Sequence, residues 1–565
     1  MDVKKGLEAG IIVLVLSAFL YLGLGNAWEF KVKHDHPYGY LASDSFLHQS
    51  VADYFKETGQ VKITPWYEVG GHRGVYDVHP PFLYYMSAVF SKAAGIEVYD
   101  GIYFITVLFF ALTALVLYFV LRRFNTHAAL IGIPFTLLIL TVPFNQGIWW
   151  GNWLFVAGVL FLFLNVWFLQ RISERGLWRL FGVSLAATFL AHPPQAIFTV
   201  FFIILFLLFE FFVFRKDFFV ALKPVIFAGI ASFALAAYNL GIFYRGFYLL
   251  QGGLQTVREG TFGFREVNLG LLGFWGLLAI GGFFVYIIWF LAKRDRASWV
   301  IALFSLFMFA MSYMYVIGFG KRAYTHRFYW WFYLAFFIGF GIHFVVKNFI
   351  YKKWDFRHSA AVALGLLLLF GVPLLKVTNA GSGLMDGYTW ESLLWIRENT
   401  DPDSFVYYFY SDGLSQAAAL YNSHRVSFKI NPKTMDEGIQ QQKIFRKYFF
   451  GLADSYHVYL CEFNLLSDAG YYPNHLNLQL VGNSTYGCTK MKYQGLVYPP
   501  KEVEEKDICT ARYLYFTKSA GQQVLAQYNM AIAQTLLQKP WIKEIYSNPL
   551  VAILENENPG DDCLG

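Results

Sequence analysis

The sequence predicts an α-helical polytopic membrane protein with an α/β domain at its C-terminal end. Three observations carry this reading. Hydrophobic residues make up 56% of the 565 residues and charged residues only 15%, against roughly 25% in a soluble domain. The apolar residues fall into about eleven runs, most of them near the ~20 residues that cross a bilayer as a helix. After about residue 379 these runs stop and mixed polar sequence begins, holding all four cysteines. The net charge of +7 is modest, and the basic residues punctuate apolar runs, so no nucleic-acid partner is expected.

The first span covers about residues 7–25, behind Lys4 and Lys5. It is long and lacks a small-x-small cleavage site, so it reads as a retained anchor with a cytoplasmic N-terminus. A long polar stretch, 26–100, follows and lies outside. Further spans are expected at about 101–121, 128–144, 153–169, 180–191, 196–214, 225–243, 269–291, 299–319, 328–346 and 360–375. The loops this order puts inside are the basic ones, with Arg122-Arg123, Arg215-Lys216, Lys293-Arg294 and Lys352-Lys353. The short outer loops hold only Arg245, Arg258, Arg265, Lys321, Arg322 and Arg327. That asymmetry follows the positive-inside rule. An odd number of spans makes residues 1–378 a transmembrane domain and 379–565 an extracytoplasmic one.

In the outer domain, Thr389 to Glu398 reads as an amphipathic helix, stopped before Thr400-Asp401-Pro402. Residues 404–410 and 551–554 read as strands and 522–538 as a helix, which gives an α/β pattern. Cys461, Cys488, Cys509 and Cys563 lack zinc-type spacing and suit disulfides in an oxidising compartment, with the pairing left open. Asn483-Ser484-Thr485 is a glycosylation sequon compatible with that location.

The chemistry is expected in the loop Leu41 to Phe90. Asp44 and His48 are four apart and share a helix face. Asp44 also suits a helix cap, and Asp35, Asp53 and Asp77 are competing carboxylates. His34-Asp35-His36 has the residue types to bind a metal with Asp44 or His48, on spacing alone. His79-Pro80-Pro81 reads as the start of an aromatic helix along the membrane interface. The outer Arg245, Arg258, Arg265, Arg322 and Arg327 suit phosphate oxygens. His192-Pro193-Pro194 closes a short span at membrane depth, where broken helices line cavities. Trp149, Trp150 and Asn152 offer platforms for sugar or lipid, or an interfacial belt.

These pieces resemble the GT-C superfamily of integral-membrane glycosyltransferases. The resemblance rests on the first span and long outer loop, Ser43-Asp44-Ser45-Phe46-Leu47-His48, the segment His79 to Tyr85, the many spans and the outer domain beginning near Trp390. It implies a polyprenyl-phosphate sugar donor, bound in membrane lipid. The acceptor would be a protein, glycan or lipid at the outer face, attacking with inversion. Asp44 would be the general base, with Asp35, His48 and His79 as the further catalytic candidates. The donor phosphate would be held by the five outer arginines and His192. Ser45 follows Asp44 where most members carry a second acid, and residues 144–153 hold no acid. No second acidic motif therefore supports a divalent metal, and no cofactor is expected with certainty. The protein mannosyltransferase and aminoarabinose transferase types fit better than oligosaccharyltransferase. The alternative is a non-catalytic GT-C-like protein in lipid handling or envelope assembly.

Overall fold

The computed structural model describes residues 3–28, 31–41, 43–60, 62–63, 65–67, 79–140, 151–215, 218–245, 273–292, 296–313, 333–377, 383–409, 421–429, 447–451, 458–459, 478–480, 491–493, 503–518, 530, 532–561 and 563. The chain divides into two compact units. The first comprises Met1–Lys33, His79–Leu240 and Thr261–Gly381; the second comprises His34–Val78, Gly241–Gly260 and Ser382–Gly565.

The helices, in chain order, begin with α1 (Val3–Trp28), α2 (Ser43–Thr58), α3 (Phe82–Ala94), α4 (Val98–Phe124) and α5 (Thr126–Gly132). A 3-10 stretch carries α5 on to Leu140. Next come α6 (Trp153–Gln170), α7 (Trp178–Ala191), α8 (Pro193–Val213) and α9 (Phe218–Tyr244). Then follow α10 (Gly273–Ala292), α11 (Arg296–Tyr313) and α12 (Gly339–Val345), the last flanked by π-helical turns. The series ends with α13 (Phe356–Val377) and α14 (Gly387–Asn399). Among the described residues, every apolar run expected to span is helical. Five stretches, Lys4–Gly25, Val98–Phe124, Trp153–Gln170, Pro193–Val213 and Phe218–Tyr244, are long and apolar enough to cross a membrane. The others are shorter apolar helices.

Side-chain distribution in the first unit agrees with a lipid solvent. Phe201, Ile204, Phe212, Phe219, Ile230 and Phe233 on α8 and α9 are exposed, which hydrocarbon accepts and water does not. Helices meet where side chains are smallest, as expected without a hydrophobic drive between them. A Cβ on Gly132 would lie 1.9 Å from Ala335 O, and one on Gly282 1.9 Å from Phe337 O. At one end of α1, buried Glu8 accepts from Tyr118 Oη (2.7 Å) and pairs with Arg122, both on α4. Amphipathic α3 buries Leu83, Tyr84, Ser87, Ala88 and Ser91 and leaves Tyr85, Met86 and Val89 exposed, the pattern of an interfacial helix.

In the second unit the strands are β1 (Phe405–Phe409), β2 (Val426–Lys429), β3 (Lys447–Gly451), β4 (Val458–Tyr459), β5 (Leu478–Leu480), β6 (Met491–Tyr493), β7 (Val503–Asp507), β8 (Tyr513–Thr517), β9 (Ile542–Ser547) and β10 (Val551–Asn556). The main sheet has the order β2-β1-β8-β10-β9. Strand β1 runs parallel to β2 and β8, and β10 is antiparallel to β8 and β9. Alternation sorts the two faces. Tyr407, Phe409, Leu514, Phe516, Ala552 and Leu554 join Ile532, Leu536 and the Cys509–Cys563 disulfide in one core. Tyr408 and Tyr515 pack together at 4.8 Å, and Tyr515 Oη lies 2.6 Å from Ser392 Oγ on α14. Asp386 caps α14 by accepting from Thr389 N at 2.8 Å.

The polar loop belongs to this unit. Trp66 packs against the sheet core. Leu384 N donates to Tyr40 O at 2.8 Å, beside a bridge between Tyr40 and Gly383. Gly383 has φ +89°, and a Cβ there would meet Tyr40 O at 2.6 Å, so only glycine serves.

Candidate functional site

Helix α2 begins at Ser43, so Asp44 lies within its first turn rather than capping it, and is half-buried. A carboxylate there faces the free amides of the helix start and is favoured by the macrodipole. His48, one turn on, is buried on the same face. Ser45 and Gln49 beside them are buried, and neither Ser45 Oγ nor Gln49 Oε1 has a hydrogen-bond partner among the described residues. Buried polar atoms without partners are uncommon in native folds and call for an explanation. Asp35 lies exposed in the preceding loop, where His34 stacks on Tyr38 at 5.0 Å.

The other face of α2 is held differently. Asp53 is nine residues after Asp44, about 180° round a helix of 3.6 residues per turn. Glu57, one turn further, shares that face. Arg397 of α14 bridges the pair: Nη1 donates to Asp53 Oδ2 at 3.0 Å, and Nη2 donates to Glu57 Oε1. His424, just before β2, completes the group. Its Nε2 is 3.7 Å from Asp53 Oδ2 and its Nδ1 4.0 Å from Glu57 Oε2. The imidazole stacks on Tyr67 at 4.6 Å and 10°. Arg425 next to it donates to Arg397 O (2.7 Å), Thr400 O (2.8 Å) and Thr400 Oγ1 (3.0 Å), satisfying the open carbonyls at the end of α14.

Burial sets the electrostatics here. It raises the Glu57 carboxyl above the usual range, helped by Asp53 and opposed by Arg397. Burial also holds the His424 imidazole well below its usual range, reinforced by Arg397 and Arg425. Among the described residues, Asp53, Glu57 and His424 are the grouping of three side chains with metal-ligand chemistry.

In the first unit, His79 precedes α3 and meets Tyr84 edge-on at 6.3 Å. His192 joins α7 to α8 in extended conformation, with Pro193 opening the next helix. Its ring packs on Phe155 at 5.3 Å, and its Nδ1 meets Gln195 Oε1. A Cβ on Gly158 would lie 2.7 Å from His192 Cβ, so α6 and this break are in close contact. Arg245 is exposed directly after α9. Arg258, Arg265, Arg322, Arg327, Asp77, Trp149, Trp150, Asn483, Cys461 and Cys488 lie outside the described residues.

The sequence matches no family model and no curated protein. Solved structures do match. ArnT from Cupriavidus metallidurans bound to undecaprenyl phosphate aligns at TM-score 0.55 and 11% identity, over 98% of this chain and 99% of its own. AglB from Archaeoglobus fulgidus, an archaeal oligosaccharyltransferase in complex with an inhibitory peptide and a dolichol-phosphate, aligns at 0.53 and 14% over 76% of this chain. The alignment covers about 65% of that longer protein. The arabinofuranosyltransferase AftD from Mycobacteria aligns at 0.50 and 10%, over 97% of this chain and 40% of its own. The chain has the GT-C fold. It is a multi-pass membrane protein, and its main sheet is built from sequence that follows the apolar helices.

Sequence reasoning missed the partners on the second face of α2. Arg397 lay unmarked inside an amphipathic helix, and His424 with Arg425 drew no notice before a strand. The one local signal was the four-residue spacing of Asp53 and Glu57.

Proposed function

We propose that the chain is a membrane glycosyltransferase that moves a sugar from a polyprenyl-phosphate donor to an acceptor hydroxyl at the outer face of the membrane. The observation that carries this reading is the alignment with ArnT over nearly the whole of both chains, that protein being bound to undecaprenyl phosphate. The shorter overlap with AglB favours the ArnT type over asparagine transfer. In this reading Asp44 takes the acceptor proton as the acceptor oxygen bonds to the anomeric carbon from the face opposite the phosphate. The configuration inverts and the lipid phosphate leaves with the electron pair. Cations steady that phosphate as charge develops; Arg245, Arg258, Arg265, Arg322, Arg327 and His192 are the candidates. Ser45, His48 and Gln49 supply polar groups beside Asp44 for sugar or acceptor hydroxyls. The N-terminus lies in the cytoplasm and the C-terminal unit outside.

The test is transfer from a panel of polyprenyl-phosphate sugars by purified protein, native against Asp44→Asn. Loss of a general base lowers turnover by about 100- to 10,000-fold, with thermal unfolding unchanged. Equal activity in both removes Asp44 as the base. No transfer from any donor by the native protein favours the non-catalytic reading, which the serine after Asp44 supports.

A further inference from the structure

We infer that Asp53, Glu57 and His424 form a binding site for a divalent transition cation of the zinc or cobalt class, with Arg397 as the internal cation competing for it. The site stands on the second unit alone and does not depend on the glycosyltransferase reading.

Four observations support it. Asp53 and Glu57 are one helical turn apart, so two carboxylates project from one face of α2. His424 adds a nitrogen from a distant loop, and one ligand atom from each of the three lies within 4.8 Å of the others. Ligands around a tetrahedral zinc with bonds of about 2.1 Å stand about 3.4 Å apart; small side-chain rotations bridge that difference. His424 is 7% exposed, and its ring nitrogens face the two carboxylates at 3.7 and 4.0 Å, beyond hydrogen-bond distance. The ring is held there by the stack on Tyr67 and by a left-handed backbone with φ 51°. That conformation costs energy in a residue with a side chain.

Charge is the fourth. One guanidinium bridges the two carboxylates. A dication takes its place between them once Arg397 turns aside. Two oxygens and an imidazole nitrogen select a borderline metal over magnesium or calcium, which take oxygen ligands. The bound ion fastens α2 to the segment before β2.

The experiment uses the full-length protein in detergent, stripped with a chelator and titrated with Co²⁺. Visible absorption follows binding, and mass spectrometry gives metal content after desalting. We expect native protein to take up one equivalent more Co²⁺ than His424→Asn or Asp53→Asn, displaceable by Zn²⁺. Arg397→Gln should bind at least tenfold tighter. Asparagine tolerates the left-handed backbone, so His424→Asn should keep its fold, which thermal unfolding checks. No Co²⁺ uptake by the native protein overturns the inference, as does equal uptake by native protein and both folded variants.

Discussion

A methyl group added at Gly132 would lie 1.9 Å from the main-chain oxygen of Ala335. A carbonyl inside a helix cannot move aside as a flexible side chain would. Gly132→Ala should therefore separate the two helices and cost about 1–3 kcal/mol, the range for overpacked interiors. Gly365 on α13 is the control, because a Cβ there meets nothing within 4 Å. Gly365→Ala should be neutral or stabilise by about 0.5–1 kcal/mol, since alanine is the better helix former. Thermal unfolding in detergent compares them; equal behaviour would show that the close approach is not under load. No hydropathy pattern reveals such a contact. The pair Asp44 and His48 was legible because four residues make one turn. The bond from Arg397 to Asp53 joins residues 344 apart, and an ion pair at that separation leaves no local trace.

Helices and strands were more legible than single contacts because each repeats its signal over many residues. Among the described residues the apolar runs became helices, though α9 begins at Phe218, seven residues before the expected start. In the polar region, the helix read from Thr389 became α14 and the runs at 404–410 and 551–554 became β1 and β10. The order β2-β1-β8-β10-β9 was not legible, since it pairs β1 with a strand more than a hundred residues away. The cysteine pairing was equally hidden: Cys509 and Cys563 are 54 residues apart, and both are buried in the sheet core. Closing a loop of that length stabilises the folded state by about 4 kcal/mol through the entropy of the unfolded chain. Replacing both residues by serine should raise the rate at which a protease cuts the second unit of the full-length protein. The spanning helices should keep their protection. Unchanged cutting would mean that the sheet core holds the C-terminal segment without the bridge.

For the molecule as a whole, the proposed orientation, with the N-terminus in the cytoplasm and the C-terminal unit outside, rests on Lys4 and Lys5 before the first span and on the odd number of spans expected from the sequence. In that proposal Lys353, exposed between the π-helical turn Val346–Ile350 and α13, is inside, and Lys543 on β9 is outside. Cys509 and Cys563 are joined in a disulfide, so with Cys461 and Cys488 replaced by serine one introduced thiol is the reporter. Lys543→Cys should react with a membrane-impermeant maleimide on intact cells, and Lys353→Cys only after permeabilisation. A further pair of membrane crossings missed between α1 and Lys353 would leave this outcome intact, whereas a single unrecognised span there would bring both positions to new sides. Labelling of Lys353→Cys on intact cells, or protection of Lys543→Cys, would refute the orientation. It would also deprive the proposed transfer at the outer face of its site, because Asp44 belongs to the same compact unit as Lys543.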